Sequence, residues 1–199
     1  MNHFLRGAAG AAIAGAVLTA ALPTQAETPP DWKPVWTAKN ELQLPVGYRQ
    51  WIYLGSPVTP EGLNDHKAGF PEFHNVYIPK QVLDQFKKTG EYPEGSIFVK
   101  ELQLTLPPAD NPDGSRTVPS GRGYFPGVFN GLDVMVKDSR RCAATSNWCF
   151  FNYGHHAPPY EKVSAIVPAE KCASCHQINA DKNMHFTEFY QLLLPGQHD

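Results

Sequence analysis

Five consecutive residues near the C-terminus have the spacing of a reactive motif: Cys172-Ala173-Ser174-Cys175-His176. Two thiols three positions apart can each add to one vinyl group of a porphyrin, and the histidine that follows can then reach the iron. The pattern predicts a covalently attached c-type haem with His176 as the proximal ligand. A thioredoxin-like redox pair or half of a zinc site are the alternatives for the two cysteines.

The position of this motif near the C-terminus indicates whether a second side chain can bind the other side of the iron. Only 23 residues follow His176, and Met184 lies eight residues beyond it between polar neighbours that suggest a turn. We expect Met184 to pack in the protein rather than to bind iron. The distal face of the haem is then open, which favours binding or transformation of small ligands over plain electron transfer.

Lys100 occupies an unusual place in a predicted strand. Alternation along residues 96–104 puts it on the same face as Phe98, Leu102 and Leu104. An unpaired ammonium among apolar side chains is costly. Either the stem packs while the amine reaches the rim, or the amine is neutral and serves as a nucleophile.

Asp133 is a second candidate. It lies in the predicted strand 131–137, on the face opposite to Leu132, Val134 and Val136, although strands disfavour aspartate. Asp133 either faces solvent on the exposed side of the sheet or supplies a carboxylate that accepts protons in a ligand pocket.

The elements that must position these residues are short. Nineteen prolines and sixteen glycines favour many short elements joined by turns. Pro79 begins a predicted helix with Val82, Leu83 and Phe86 on one face and Gly90 at its end. Strands are predicted over 74–78, 96–104, 131–137 and 148–153, a strand or short helix over 49–55, and a surface loop over 106–123.

The first 26 residues have the features of a cleaved signal peptide. Arg6 precedes an Ala- and Gly-rich apolar run, and Thr24-Gln25-Ala26 supplies small residues for cleavage after Ala26. An uncleaved anchor is the alternative. We therefore expect a single domain over 27–199, exported to a bacterial periplasm and without a membrane span after cleavage. A net charge of −2 implies no nucleic-acid surface.

Two further pairs call for an interpretation. Cys142 and Cys149 flank the turn between two predicted strands, so a disulfide that closes a hairpin is expected, with two free thiols as the alternative. His155 and His156 lie in a Pro-rich loop and are expected at the surface, with an adventitious metal site as the alternative.

The chain resembles the cytochrome P-460 family and its sister group, cytochrome c′-beta. The resemblance spans most of the chain after residue 26 and is carried by 42–45, 48–51, 63–65, 88–90, Val99-Lys100-Glu101-Leu102, 123–125, 136–139, 172–176 and 186–190. It implies a mainly β (α+β) fold, an antiparallel sheet domain with a few helices, usually as a homodimer. It also implies that Cys172 and Cys175 bind haem c and that His176 is the iron ligand.

The resemblance further assigns roles around the haem. Lys100 matches the lysine whose nitrogen bonds to a haem meso carbon in the enzymatic branch, whereas the c′-beta branch lacks that bond and binds diatomic gases. Asp133 matches the distal carboxylate, as Asp where Glu is expected, so its reach is about 1.5 Å shorter. Phe70 is a candidate for the aromatic wall of the pocket, and His74 stands where Arg is expected, with an open role.

The presence of Lys100 favours the enzymatic branch. The expected activity is oxidation of hydroxylamine to nitric oxide or nitrous oxide, with electrons passing to a cytochrome c. The second hypothesis is a protein that binds nitric oxide or another diatomic gas without turnover. A plain electron carrier is the third.

Overall fold

A computed structural model describes residues 32–107 and 110–196. The predicted signal peptide over 1–26 lies outside the described residues. The strands are β1 Leu42–Gln43, β2 Ile52–Gly55, β3 Phe73–Ile78, β4 Ile97–Thr105, β5 Arg116–Val118, β6 Gly121–Gly123, β7 Pro126–Lys137, β8 Trp148–Asn152 and β9 Val163–Ser164. The helices are α1 Lys80–Thr89 and α2 Ala173–Asn179. The predicted fold class, a mainly antiparallel β domain with few helices, is confirmed.

The centre of the fold is a five-stranded antiparallel sheet in the order β2-β3-β4-β7-β8. The central strand β4 alternates between the two faces of the sheet, and both faces are covered. One short sheet joins β1 to β9, and a small hairpin joins β5 to β6. Lys100 of β4 pairs in register with Val76 of β3 on one side and with Asp133 of β7 on the other.

Each face of the large sheet carries its own apolar cluster. The first cluster includes Phe98, Phe150 and Met184 and packs against both helices; we call this side the motif face because Cys172 and Ala173 pack there. The second includes Val99, Val134 and Phe151 and packs against the segment that contains Trp32, Trp36 and Leu42; we call it the opposite face. Residues adjacent in β4 therefore serve different halves of the core.

The helix predicted after Pro79 is confirmed as α1. Pro79 is its N-cap, where a missing N–H is tolerated, and Val82 and Leu83 are buried against the sheet. Gly90 ends the helix in the left-handed region at φ 73°, and its N–H donates to the Phe86 carbonyl. Segment 49–55, for which a strand or a short helix is predicted, contains the end of a 3₁₀ turn over Tyr48–Gln50, followed by strand β2.

The predicted loop over 106–123 is more ordered than expected, because it contains the β5–β6 hairpin. Polar contacts hold it: the Arg122 guanidinium lies 2.7 Å from Asp113, and the Ser115 hydroxyl donates to the same carboxylate. These contacts lower the pKa of Asp113 to about 2, the Arg122 hydrogen bond being the main cause. Such a hairpin has little apolar alternation, so the pattern that identifies strands does not detect it.

The predicted disulfide between Cys142 and Cys149 is present, with 5.4 Å between the two Cα atoms. It closes the connection between β7 and β8, and both cysteines are buried in the cluster of the opposite face. Within 32–107 and 110–196, none of the helices has the length and apolar character needed to cross a bilayer.

Candidate functional site

The CxxCH motif forms the start of α2. Cys172 is the N-cap residue, Ala173 is buried under the sheet, and Cys175 and His176 lie within the helix. Both thiols are free, Cys172 half-buried and Cys175 exposed. Burial raises the pKa of the Cys172 thiol, and the nearby Asp133 carboxylate raises it further. Two unpaired thiols on one helical turn are available for thioether bonds.

His176 is held in the orientation that a metal ligand needs. Its Nδ1 lies 2.8 Å from the Met184 carbonyl oxygen, and its ring packs against Phe150 and Phe186 at centroid distances of 4.8 and 5.1 Å. Because a carbonyl can only accept, Nδ1 carries the proton and Nε2 keeps a free lone pair. Burial lowers the pKa of His176, so the ring is neutral and ready to coordinate.

Met184 itself is buried in the cluster of the motif face, as expected for a packing residue. Its contribution to the site is its backbone: φ is 64°, in the left-handed region, at the turn whose carbonyl accepts the His176 proton. The eight-residue spacing thus places an orienting carbonyl beside the predicted proximal ligand.

Lys100 and Asp133 form a cross-strand ion pair on the motif face. Lys100 Nζ lies 3.0 Å from Asp133 Oδ2, and the side chains are 29% and 25% exposed. Asn152 of β8 donates its Nδ2–H to Asp133 Oδ1 at 2.7 Å. The lysine is therefore paired and does not stand alone among apolar side chains, and the roles predicted for both residues stay predictions. Each is the other's partner.

Phe70 and His74 extend this group. Lys100 Nζ lies 4.6 Å from the centroid of the Phe70 ring, a cation–π contact, and Phe70 meets His74 edge to face at 5.9 Å. Burial lowers the pKa of His74 to about 4, and the positive charge of Lys100 lowers it in the same direction. His74 is therefore neutral near pH 7.

The predicted site residues are brought to one side of the sheet. Lys100 shares a sheet face with Phe98, whose apolar cluster Cys172 and Ala173 join. Besides burial, the Asp133 carboxylate raises the pKa of the Cys172 thiol. Phe70 is linked to the same group through Lys100. The fold thus assembles residues from β4, β7, α2 and the loop before β3, and their chemical roles stay predictions.

The side chains present fit a c-type haem. Two free thiols, an imidazole with a free Nε2 and the apolar wall of Phe150 and Phe186 are the groups that a thioether-linked porphyrin needs. Among the residues that the structure describes, no three His, Cys, Asp or Glu side chains are grouped as a bare metal ion would require. The donor set therefore favours a porphyrin over the zinc alternative.

Sequence reasoning missed two buried carboxylates next to these residues. Glu101 is fully buried on the opposite face, where Tyr48, Tyr160 and Arg49 donate to it. An acidic residue at an alternating apolar position of β4 was the available signal. Glu72 is buried on the motif face, bonded to Asn130 and His155, and no sequence pattern indicates it.

The fold and the donor set define a c-type haem protein built on an antiparallel sheet. Residues 45–187 match the family described as Cytochrome P460. The chain belongs to the cytochrome P460 family of haem oxidoreductases, as its resemblance predicted. No curated protein shows a significant match to the sequence.

Proposed function

We propose that this protein oxidises hydroxylamine at a c-type haem that carries a covalent bond to Lys100. The observation that carries the proposal is the Lys100–Asp133 pair, which lies on the sheet face that also receives the haem-attachment motif. An amine and a carboxylate at this position combine a nucleophile for the porphyrin edge with a proton acceptor for the substrate.

Each residue of the site has a separate role. Cys172 and Cys175 would hold the haem, and His176, its ring fixed by the Met184 carbonyl, would bind the iron. Such a haem would supply an iron able to coordinate the substrate nitrogen and take up electrons. Phe70 lies over the amine of Lys100 and restricts access to that side.

Lys100 must lose its charge before its nitrogen can bond to carbon. Asp133 Oδ2, at 3.0 Å, is the adjacent acceptor for the departing proton. A bound haem would supply the carbon for this bond, which would cost one hydrogen from the amine and one from that carbon, with the two electrons passing to dioxygen or peroxide. The bond would also end the ion pair and leave the carboxylate of Asp133 free.

Asp133 then accepts protons that leave hydroxylamine as it is oxidised. The hydrogen bond from Asn152 keeps the carboxylate oriented through Oδ1, while Oδ2 faces the position vacated by the ammonium. We propose a cytochrome c as electron acceptor, a homodimer as the assembly and the periplasm as the compartment. The buried Cys142–Cys149 disulfide supports an oxidising location.

Three measurements on the purified holoprotein test this function. The intact mass is expected to be smaller than chain plus haem by the hydrogens lost at the Lys100 bond, and Lys100→Met restores the full mass. The ferrous Soret band is expected to be strongly red-shifted in the wild type and ordinary in Lys100→Met. Consumption of hydroxylamine with a redox dye decides the activity, and its absence in a cross-linked protein would sink the enzymatic proposal.

A second candidate function, reversible binding of nitric oxide or another diatomic gas, is favoured by one feature. Lys100 and Asn152 each contact one oxygen of Asp133, so the negative charge of the carboxylate is compensated while the ion pair persists. If Lys100 stays an ammonium, the site binds gas without proton transfer. A wild-type mass equal to chain plus haem, with tight nitric oxide binding and no turnover, would establish this alternative.

A further inference from the structure

A second carboxylate lies on the motif face, further along β3 from the ion pair. Val76 pairs with Lys100 and His74 pairs with Leu102, so side chains of even-numbered β3 residues share the face of Lys100. Glu72 lies at the bend that directly precedes β3, and its carboxylate contacts His155, whose ring lies beside Gly131 of β7. This position makes Glu72 the next acidic group beyond His74 on that side of the sheet.

Glu72 is buried with half of its hydrogen-bonding capacity unused. The residue is 3% exposed. Its Oε1 accepts from Asn130 Nδ2 at 3.1 Å and lies 2.9 Å from His155 Nε2. Its Oε2 is buried and has no hydrogen-bond partner among the described residues. A buried carboxylate oxygen without a donor is costly, which points to a proton or a water at this place.

His155 connects this carboxylate to solvent. Its side chain is 49% exposed, although its Nε2 contacts the buried Glu72. Gly131 makes the approach feasible, because a Cβ at that position would lie 3.1 Å from His155 Cδ2. Gly131 is only two residues from Asp133, so the glycine that admits the imidazole lies on the strand that carries the distal carboxylate.

His74 lies two residues before Val76, which pairs with Lys100, so it is close to the ion pair along β3. Its ring hydrogen-bonds to the Phe70 backbone. Burial and Lys100 lower the pKa of His74, whereas Glu72 and Asp133 raise it. Its Nε2 is buried without a hydrogen-bond partner among the described residues. A neutral imidazole can take a proton at one nitrogen and release another from the second, so it transfers a proton with no lasting charge.

We propose that His74, Glu72 and His155 form the route by which protons leave the distal pocket for solvent. This inference rests on the proposed function. Oxidation of hydroxylamine to nitric oxide releases three protons and three electrons: the electrons pass to a cytochrome c, and the protons pass from Asp133 through His74 and Glu72 to His155 and then to bulk water. Bridging water completes any gap wider than a hydrogen bond.

The test compares Glu72→Gln and His155→Ala with His156→Ala as the matched control. His156 is the adjacent exposed histidine, and its Nδ1 contacts the Ala157 carbonyl rather than Glu72. The first readout needs no substrate: the haem is rapidly reduced in weak buffer, and proton uptake is followed with an indicator dye. Uptake is expected to slow about tenfold or more in both route variants and to stay unchanged in the control.

The second readout is hydroxylamine turnover, expected to fall with proton uptake in both route variants and to stay at the wild-type level in His156→Ala. Equal uptake rates in wild type and both route variants would overturn the route, as would the absence of any uptake in the wild type. A variant that loses stability without slower uptake would assign Glu72 a structural role and overturn it as well. If the wild type consumes no hydroxylamine, the proposed function fails, while the uptake experiment still decides the route.

Discussion

Lys100 and Glu101 are consecutive residues of β4 with opposite charges, and they face opposite sides of the same sheet. Glu101 is 0% exposed and is surrounded by donors: Tyr48 at 2.8 Å, Tyr160 at 2.9 Å and Arg49 at 3.0 Å from its oxygens. Lys100 is half-buried and contacts one carboxylate and one aromatic ring. One charge is fully satisfied by its surroundings, and the other is held by few contacts.

The difference separates a charge held by several fixed donors from a charge that has one ionisable partner. Burial raises the pKa values of Tyr48 and Tyr160, and the Glu101 carboxylate raises them further, so both phenols remain protonated donors at any physiological pH. The Glu101 hydrogen bond likewise raises the pKa of Arg49. The partner of Lys100 is a carboxylate that can itself take up a proton. A charged group with one ionisable partner can lose its charge when that partner takes its proton, whereas a charged group bound by several fixed donors keeps its charge.

The largest expected effect comes from removing the buried charge. Glu101→Leu leaves Arg49 and two phenols without their acceptor, so we expect the free energy of unfolding to fall by about 3 kcal/mol or more. Lys100→Met, on the neighbouring residue, is expected to change it by less than about 1 kcal/mol in protein without the bond to haem, because the ion pair is partly solvated. Chemical denaturation of the protein produced without haem measures both.

Glu101→Gln serves as the milder variant in case Glu101→Leu does not fold. The amide keeps an oxygen that the phenols can bind but loses the charge opposite Arg49. The free energy of unfolding is therefore expected to fall by less than in Glu101→Leu and by more than in Lys100→Met. Equal losses for the Lys100 and Glu101 variants would refute the distinction between the two faces.

The free energy of unfolding is expected to depend on pH through His185, which packs against Phe98 on the motif face, the face of Lys100. His185 is buried among Tyr92, Phe98 and Trp148, and burial lowers its pKa from 6.5 to about 4. The unfolded chain binds this proton more readily, so stability is fully present above pH 6.5 and falls as the pH drops toward 4. The loss attributable to His185 is up to about 3 kcal/mol. Denaturation at a series of pH values should show a shallower slope in His185→Gln, and an unchanged slope would exclude His185 as the cause.

Asp133→Asn tests the reactive side without a large change in shape. The amide can still contact Asn152 but accepts no proton, so hydroxylamine turnover is expected to fall about 100-fold. The free energy of unfolding should change by less than about 1 kcal/mol. Steady-state assays normalised to haem content provide the measurement.

The matched variant Asp133→Glu restores the length that the family resemblance led us to expect. Turnover should rise above the wild type if reach limits the reaction. Wild-type turnover in Asp133→Asn would mean that another group accepts the substrate protons.

The smallest effect is expected from the disulfide on the side of Glu101. Replacing Cys142 and Cys149 together by serine opens the loop between two cysteines that are seven positions apart. Loss of this constraint on the unfolded chain is expected to lower the free energy of unfolding by about 2 kcal/mol. Because both cysteines pack in the cluster of the opposite face, hydroxylamine turnover at low temperature should not change. A loss of turnover in this double variant would show that the two faces are coupled.

The parts of the site that sequence could predict are those with local signatures. The CxxCH spacing is a chemical pattern within one helical turn, and Lys100 stands out because a charge interrupts an apolar alternation. The helix after Pro79 has a start signal, an apolar face and a glycine at its end. These signals predict bounds that agree with the observed helix Lys80–Thr89.

The rest depends on register and long-range packing. That Lys100 faces Asp133 requires the alignment of β4 with β7, which alternation alone does not fix and which β-bulges near Leu102 and Gln103 shift. The contact of Glu72 with His155 joins residues 83 positions apart through a loop without periodicity. The first residues of β7 were assigned to no strand because Gly127 and Asn130 interrupt its pattern.

The acceptor of the His176 proton is a main-chain carbonyl rather than a side chain. No single substitution at position 184 can delete that oxygen, so this part of the proximal environment is protected from point mutation. Its geometry depends on the left-handed turn at Met184, a conformation that most residues adopt only at a cost. Evolutionary tuning of the His176 imidazole therefore has to act through the shape of this turn, whereas the side chains of Lys100 and Asp133 can each be exchanged by a single substitution.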